Sequence, residues 1–143
     1  MLDRHWIAAH IPHQGRMCLL DAVLEWNDRH IVCESNSHTA SDHPLRAASR
    51  LGAATGVEYA AQAMAIHGTL LASPRSRPQM GYLASVRGLK LHVSRLDDLA
   101  GPLRITAVRW SGDDRLIMYQ FQIHHQDRCL LDGRASVALN VMA

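Results

Sequence analysis

Residues 51 to 72 read as one helix with almost no polar side. Ala, Met, Gln and Leu dominate it and proline is absent, a composition that favours helix over strand. A surface helix carries a polar face, whereas a helix that is apolar nearly all round must be covered on most sides. In a chain of 143 residues, expected to form one domain over 1–143, the cover has to come from the flanking segments. Those segments read as strands. MCLLDAVLEW (17–26) has the look of a buried strand, Asn27-Asp28 of a turn and HIVCESN of the returning strand. The polar SHTASDHPLRAASRLG reads as a long loop, and residues 1–16 as a short turn or helix entering a loop at Pro12 and Gly15. Beyond a break expected at SPRSRPQ (73–79), MGYLASVR, GLKLHV, PLRITAVRW and LIMYQFQIHH are strand candidates, and CLLDGRASVALNVM closes the chain. Turn signals fall at Gly88, at Asp97 to Gly101, at Gly112-Asp113-Asp114 and at Gln126-Asp127. Whether the first two candidates form one bent strand stays open. The order predicts an α+β arrangement, with an antiparallel sheet wrapped around one long central helix. Free edges on such a sheet favour pairing into a dimer.

Charge and cysteine usage exclude several classes. A formal net charge of +2, with arginines scattered along the chain, gives no nucleic-acid footprint. No stretch approaches the ~18–20 apolar residues of a membrane span, and no leader pattern opens the chain, so the expectation is a cytoplasmic protein without a membrane partner. Cys18, Cys33 and Cys129 are odd in number and far apart, which predicts neither a disulfide framework nor a structural zinc site. Ten histidines are many, but none form an HxxxH pair, and His124-His125 in a strand would point to opposite faces. The expectation is no metal and no other cofactor.

One acid interrupts the helix. Glu58 is the only Asp or Glu between Asp42 and Asp97. The plain account is a capping box, with Thr55 as N-cap and Glu58 as its N3 residue. A second account comes from resemblance. IPHQGRMCLLDAVLEW, followed later by GVEYAAQAMA, resembles the hot-dog-fold 3-hydroxyacyl-(acyl carrier protein) dehydratases. Pro12-His13 and LLDAV, with Asp21, match that family's opening Pro-His and its strand ending Asp-x-Val. Glu58 and Gln62 match its helix acid and the Gln four residues on, GYLASVRGLKLHV its next strand, and DDLAGPL its marked turn. The overlap runs from about residue 10 to about residue 140 and is closest to the dehydratase-like proteins of aryl polyene clusters. It implies a hot-dog fold and a lyase of fatty-acid or polyene-type biosynthesis acting on substrate bound to acyl carrier protein. It also implies a homodimer, or a heterodimer with a related dehydratase subunit, in which His and acid come from different subunits. The family's Gly-His-Phe-Pro loop is missing. His38 stands where that loop's His would fall if the loop were several residues longer; His43 is nearer the usual spacing but lacks the flanking Gly and Phe, and His13 belongs to a different family motif.

Water elimination needs an acid for the leaving hydroxide and a base for the carbon-2 proton. A desolvated Glu58 would stay protonated and serve as the acid. A neutral His suits the base, and the candidates are His38 and His13. Amides from Gly52 to Gly56 at the helix start would receive the enolate oxygen, and Gln62 would orient Glu58 across one turn. Tyr82 would gate an acyl tunnel by resemblance; a buried aromatic at a strand start is the plainer account. Unless the site claims them, His38 and His43 are solvated loop residues, His13 is a loop anchor, and His67 and His92 are structural. Three rival functions share the fold: a non-catalytic partner of an active dehydratase, a thioesterase and an acyl-thioester-binding domain.

Overall fold

The computed structural model describes residues 1–72, 79–113 and 115–141, and no side chains at 79–80 or 140–141. The expected break at SPRSRPQ lies outside the described residues except for Gln79, as does Asp114 of the expected Gly112-Asp113-Asp114 turn. The elements are β1 (Leu2–Asp3), α1 (Arg4–His10), β2 (Ala22–Trp26), β3 (His30–Ser35), α2 (Gly56–Leu71), β4 (Gln79–Leu91), β5 (Leu103–Gly112), β6 (Leu116–His125) and β7 (Arg128–Val141). One antiparallel seven-stranded sheet runs in the order β1-β2-β3-β5-β6-β7-β4, and α2 packs on its inner face against β3, β5 and β6. Among the described residues no helix is long and apolar enough to cross a membrane.

Alternation along the strands makes this packing possible. Leu103, Ile105 and Ala107 of β5, Ile117, Tyr119, Phe121 and Ile123 of β6, and Ile31 and Cys33 of β3 face inward and are buried. Their neighbours Arg104, Gln120 and Gln122 face out and are exposed. Opposite them α2 buries Tyr59, Ala60, Ala63, Met64 and Ile66, so the predicted burial on most faces holds. Each fully buried Leu, Ile or Phe contributes about 1.5–3 kcal/mol.

Four local expectations change. The helix begins at Gly56, not Leu51: Leu51 and Gly52 run alongside Ser94 to Leu96, and Ala53–Thr55 form a 3-10 turn. Thr55 is already helical (φ −64°, ψ −16°), and its hydroxyl donates to the Gly52 carbonyl at 2.6 Å, so the capping box does not form. The first strand covers only Ala22–Trp26, because Gln62 holds the backbone of Met17 and Leu19 instead. MGYLASVR and GLKL are one strand, β4, bent where the register shifts between Arg87 and Lys90. Gly88 lies at φ +61° in that bend, a left-handed conformation open to glycine at little cost. β4 forms a sheet edge and exposes Tyr82, Leu83, Leu89 and Leu91. Tyr82 is therefore not the buried aromatic expected at the strand start.

Candidate active site

The N-terminal half of α2 reaches back to the loop that joins α1 to β2. Gln62 is fully buried there. Its amide oxygen accepts from the Leu19 N–H at 2.9 Å and its amide nitrogen donates to the Met17 carbonyl at 2.7 Å. One turn earlier, Glu58 Oε1 lies 3.1 Å from His13 Nε2. Both side chains keep partial exposure, 34% for Glu58 and 28% for His13. The His13 Nδ1 is buried without a hydrogen-bond partner. Desolvation of Glu58 is thus incomplete in the single chain, against the expectation of a dry carboxyl.

One further expectation fails here. Gln62 does not orient Glu58, because its amide is engaged with the Met17 and Leu19 backbone. Of the amides at the helix start, Ala53 N–H donates to the Ser94 carbonyl, Thr55 N–H to Gly52, and Gly56 N–H to Ala53 and Ala54, which leaves those of Gly52 and Ala54 for an oxyanion. Gly56 instead meets a packing need. A Cβ there would lie 2.8 Å from both Leu131 methyls and 3.1 Å from Ile123 Cδ1, so glycine lets the helix approach β6 and β7 this closely without displacing those side chains.

His38 and His43 occupy different surroundings. His43 Nδ1 accepts from the Leu45 N–H at 3.1 Å, so Nε2 carries the proton and donates to the Tyr59 hydroxyl at 2.9 Å. Tyr59 donates on to Ser37 Oγ at 2.7 Å, and Ser37 to the Leu19 carbonyl at 2.9 Å. Every polar atom in this buried relay is satisfied, and burial pushes the Tyr59 hydroxyl up to about 12 and the His43 imidazole below its ordinary value. His38 is fully buried, donates from Nε2 to the Leu99 carbonyl at 2.7 Å, and is held neutral mainly by desolvation. Neither histidine is a solvated loop residue. The structure thus brings only His13, of the three candidate histidines, into polar contact with Glu58. Tyr59 and Ser37 were missed by the sequence reading; the one available signal was a polar-tipped aromatic inside an apolar helix. A surface hollow of about 320 Å³ is lined by Arg4, Arg16, Asp21, Ser37 and His43, among others, and not by His13 or Glu58.

A family model for the ApeP dehydratase matches residues 5–141. The chain belongs to the ApeP-like dehydratase family. No curated protein sequence matches it significantly. Among solved structures, the ApeP-like chain is similar to the dehydratase heterocomplex ApeI:P from Xenorhabdus doucetiae. The identity there is 19% and the TM-score 0.78, over 94% of this chain and 90% of that one. It is also similar to a thioesterase from Haemophilus influenzae (11% identity, TM-score 0.61, covering 83% of this chain and 77% of that one). A variant of the fluoroacetyl-CoA-specific thioesterase FlK follows at 13% identity and TM-score 0.60, over 84% and 88% of the two chains. At such identities the likeness is one of fold. The ApeP-like chain has the hot-dog fold, an antiparallel sheet around one long helix.

Proposed function

We propose that this chain, acting as one hot-dog unit over residues 1–143, eliminates water from a 3-hydroxyacyl thioester carried on an acyl carrier protein and yields the trans-2-enoyl thioester. The observation that carries the reading is the 3.1 Å approach of His13 Nε2 to Glu58 Oε1 in a member of a dehydratase family. A neutral imidazole beside a protonated carboxyl holds one proton to give and one site to fill. His13 takes the carbon-2 proton, Glu58 delivers its proton to the leaving hydroxyl, and water departs. The resulting imidazolium and carboxylate are in contact, so a proton crossing between them restores the starting pair. The direct contact with Glu58 supports His13 for the base role; His38, which donates from Nε2 to Leu99 and keeps an unpartnered Nδ1, is the alternative base.

In the single chain part of the Glu58 side chain stays open to solvent, and the reaction calls for it to be covered. Substrate supplies part of that cover, and a second hot-dog subunit supplies the rest. The exposed apolar β4 edge is the surface for such pairing, and the heterocomplex formed by a similar chain favours a related dehydratase subunit over a second copy.

The test is turnover of a 3-hydroxyacyl carrier-protein thioester by the purified chain, alone and mixed with a related hot-dog subunit. Glu58→Gln and His13→Gln are each expected to lower turnover by about 10²–10⁴-fold while the fold survives. Full turnover by both variants would remove the pair from catalysis. Free acid and free thiol as products would reassign the site to thioester hydrolysis.

A further inference from the structure

A second cluster of reactive side chains stands on β4 and β7, on residues that the proposed dehydration does not use. His92 follows the last residue of β4, and its N–H donates to the Leu130 carbonyl at 2.8 Å. Its Nε2 lies 2.8 Å from Asp132 Oδ2, and Cys129 Sγ lies 3.9 Å from the same oxygen. The three donor atoms all fall within 4.8 Å of one another. In a regular strand Cys129 and Asp132, three residues apart, would point to opposite faces. The β6–β7 register shifts between Ile123 and His124, so Leu130 is an extra residue, and Leu130 and Leu131 are both fully buried. This bulge turns Cys129 and Asp132 to the same side.

We propose that His92, Cys129 and Asp132 form a binding site for a divalent ion of the zinc class. Tetrahedral zinc places N, O and S ligands about 3.3–3.6 Å apart, so side-chain shifts of about an ångström from the present positions suffice. Thiolate and imidazole select zinc-like ions over magnesium or calcium. One thiolate and one carboxylate neutralise a divalent ion, which leaves a complex without net charge. That neutrality matters because Lys90 pairs with Asp132 across the strands and Arg128 reaches the His92 carbonyl at 3.4 Å. Binding releases the Cys129 thiol proton, and His92 carries its remaining proton on Nδ1, leaving Nε2 free to ligate. Water fills the fourth position, with His124 opposite Cys129 in the register as a further neighbour.

A cysteine nucleophile is the competing reading of these three residues, and the order of contacts opposes it. Asp132 stands next to both His92 and Cys129, and burial together with that carboxylate holds the thiol in its protonated form. A bound ion would clamp the end of β4 onto β7 at the sheet edge.

The full chain is titrated with Co²⁺, a spectroscopic stand-in for Zn²⁺. The expected result is a near-ultraviolet thiolate-to-cobalt charge-transfer band with tetrahedral visible bands, both removed by added Zn²⁺. His92→Gln, at a half-exposed position that tolerates change, is expected to weaken affinity at least about tenfold. Cys129→Ser is expected to abolish the charge-transfer band although Cys18 and Cys33 remain. Absence of the band in the unmodified chain overturns the proposal. So does a band that survives in Cys129→Ser or keeps its full affinity in His92→Gln. Should Cys129→Ser fail to fold, the unmodified chain and His92→Gln decide the matter.

Discussion

Gln62 and Glu58 lie one turn apart on α2 and illustrate two fates of a polar side chain in an apolar helix. Gln62 is sealed in, bonded at both ends of its amide to the backbone of Met17 and Leu19. Gln62→Leu keeps the volume but strands a buried N–H and a carbonyl, so it is expected to cost about 1–3 kcal/mol for each group left unsatisfied. Urea unfolding of the two proteins measures this. Glu58→Gln is expected to change stability by about 1 kcal/mol at most, because the side chain is part-exposed and caps nothing. A turnover loss with that small stability change separates a chemical role from a structural one. Glu58 was legible as an outlier because acids are otherwise absent for 15 residues before it and 38 after it, counted between Asp42 and Asp97. The role of Gln62 was not legible. Its partners are backbone atoms 43 and 45 residues away, which no local pattern specifies.

At the level of elements, the loop before α2 carries a defect that sequence reading passed over. Ala47 and Arg50 exchange both backbone hydrogen bonds around Ala48 (φ 52°) and Ser49 (φ 63°). This is a two-residue turn of the type that favours Asn-Gly, and a non-glycine residue in the left-handed region costs about 1–2 kcal/mol. The double change Ala48→Asn, Ser49→Gly is expected to raise stability by about 1 kcal/mol, with glycine's entropy in the unfolded chain offsetting part of the relief. Thermal melting would register it as a higher Tm. The loop is pinned elsewhere by Asp97, which accepts from the Leu51 N–H at 2.9 Å and pairs with Arg95 and Arg46. The hydrogen bonds from Arg95 and then from the Leu51 N–H hold its carboxyl well below the usual carboxylate range. Strands β5 and β6 were plain from alternation and turn residues, whereas the segment that forms β7 was read only as closing the chain. The α2 start was not, because Ala53 to Thr55 favour helix by composition while their bonds to Ser94 and Gly52 draw them into a 3-10 turn.

Across the whole molecule, His38, His43 and His67 are enclosed as neutral rings with pKa values below the ordinary 6.5, each chiefly through desolvation. In the unfolded chain they take up protons near pH 6.5, whereas in the folded chain they do so only at lower pH. Stability is therefore full above about pH 6.5 and declines as pH falls toward the folded values, by about 1.4 kcal/mol per pH unit for each excess proton. Denaturant unfolding at pH 7.5, 6.5 and 5.5 should show that decline, and a flat profile would contradict the enclosure of these rings. Pairing through β4 makes a separate prediction. Leu83→Lys with Leu91→Lys, both exposed positions, should leave the single chain's stability within about 0.5 kcal/mol while abolishing its association with a related subunit in size-exclusion chromatography. The sequence by itself determined the wrapped-helix architecture, since an apolar helix flanked by alternating strands has few other ways to leave water. It also singled out His13, His38, His43 and Glu58 as the groups worth following. Only the tertiary structure showed which of the histidines touches Glu58. Contact with Glu58 depends on how α2 docks against a loop some 45 residues earlier in the chain, and that docking is set by long-range packing and buried hydrogen bonds that leave no local trace.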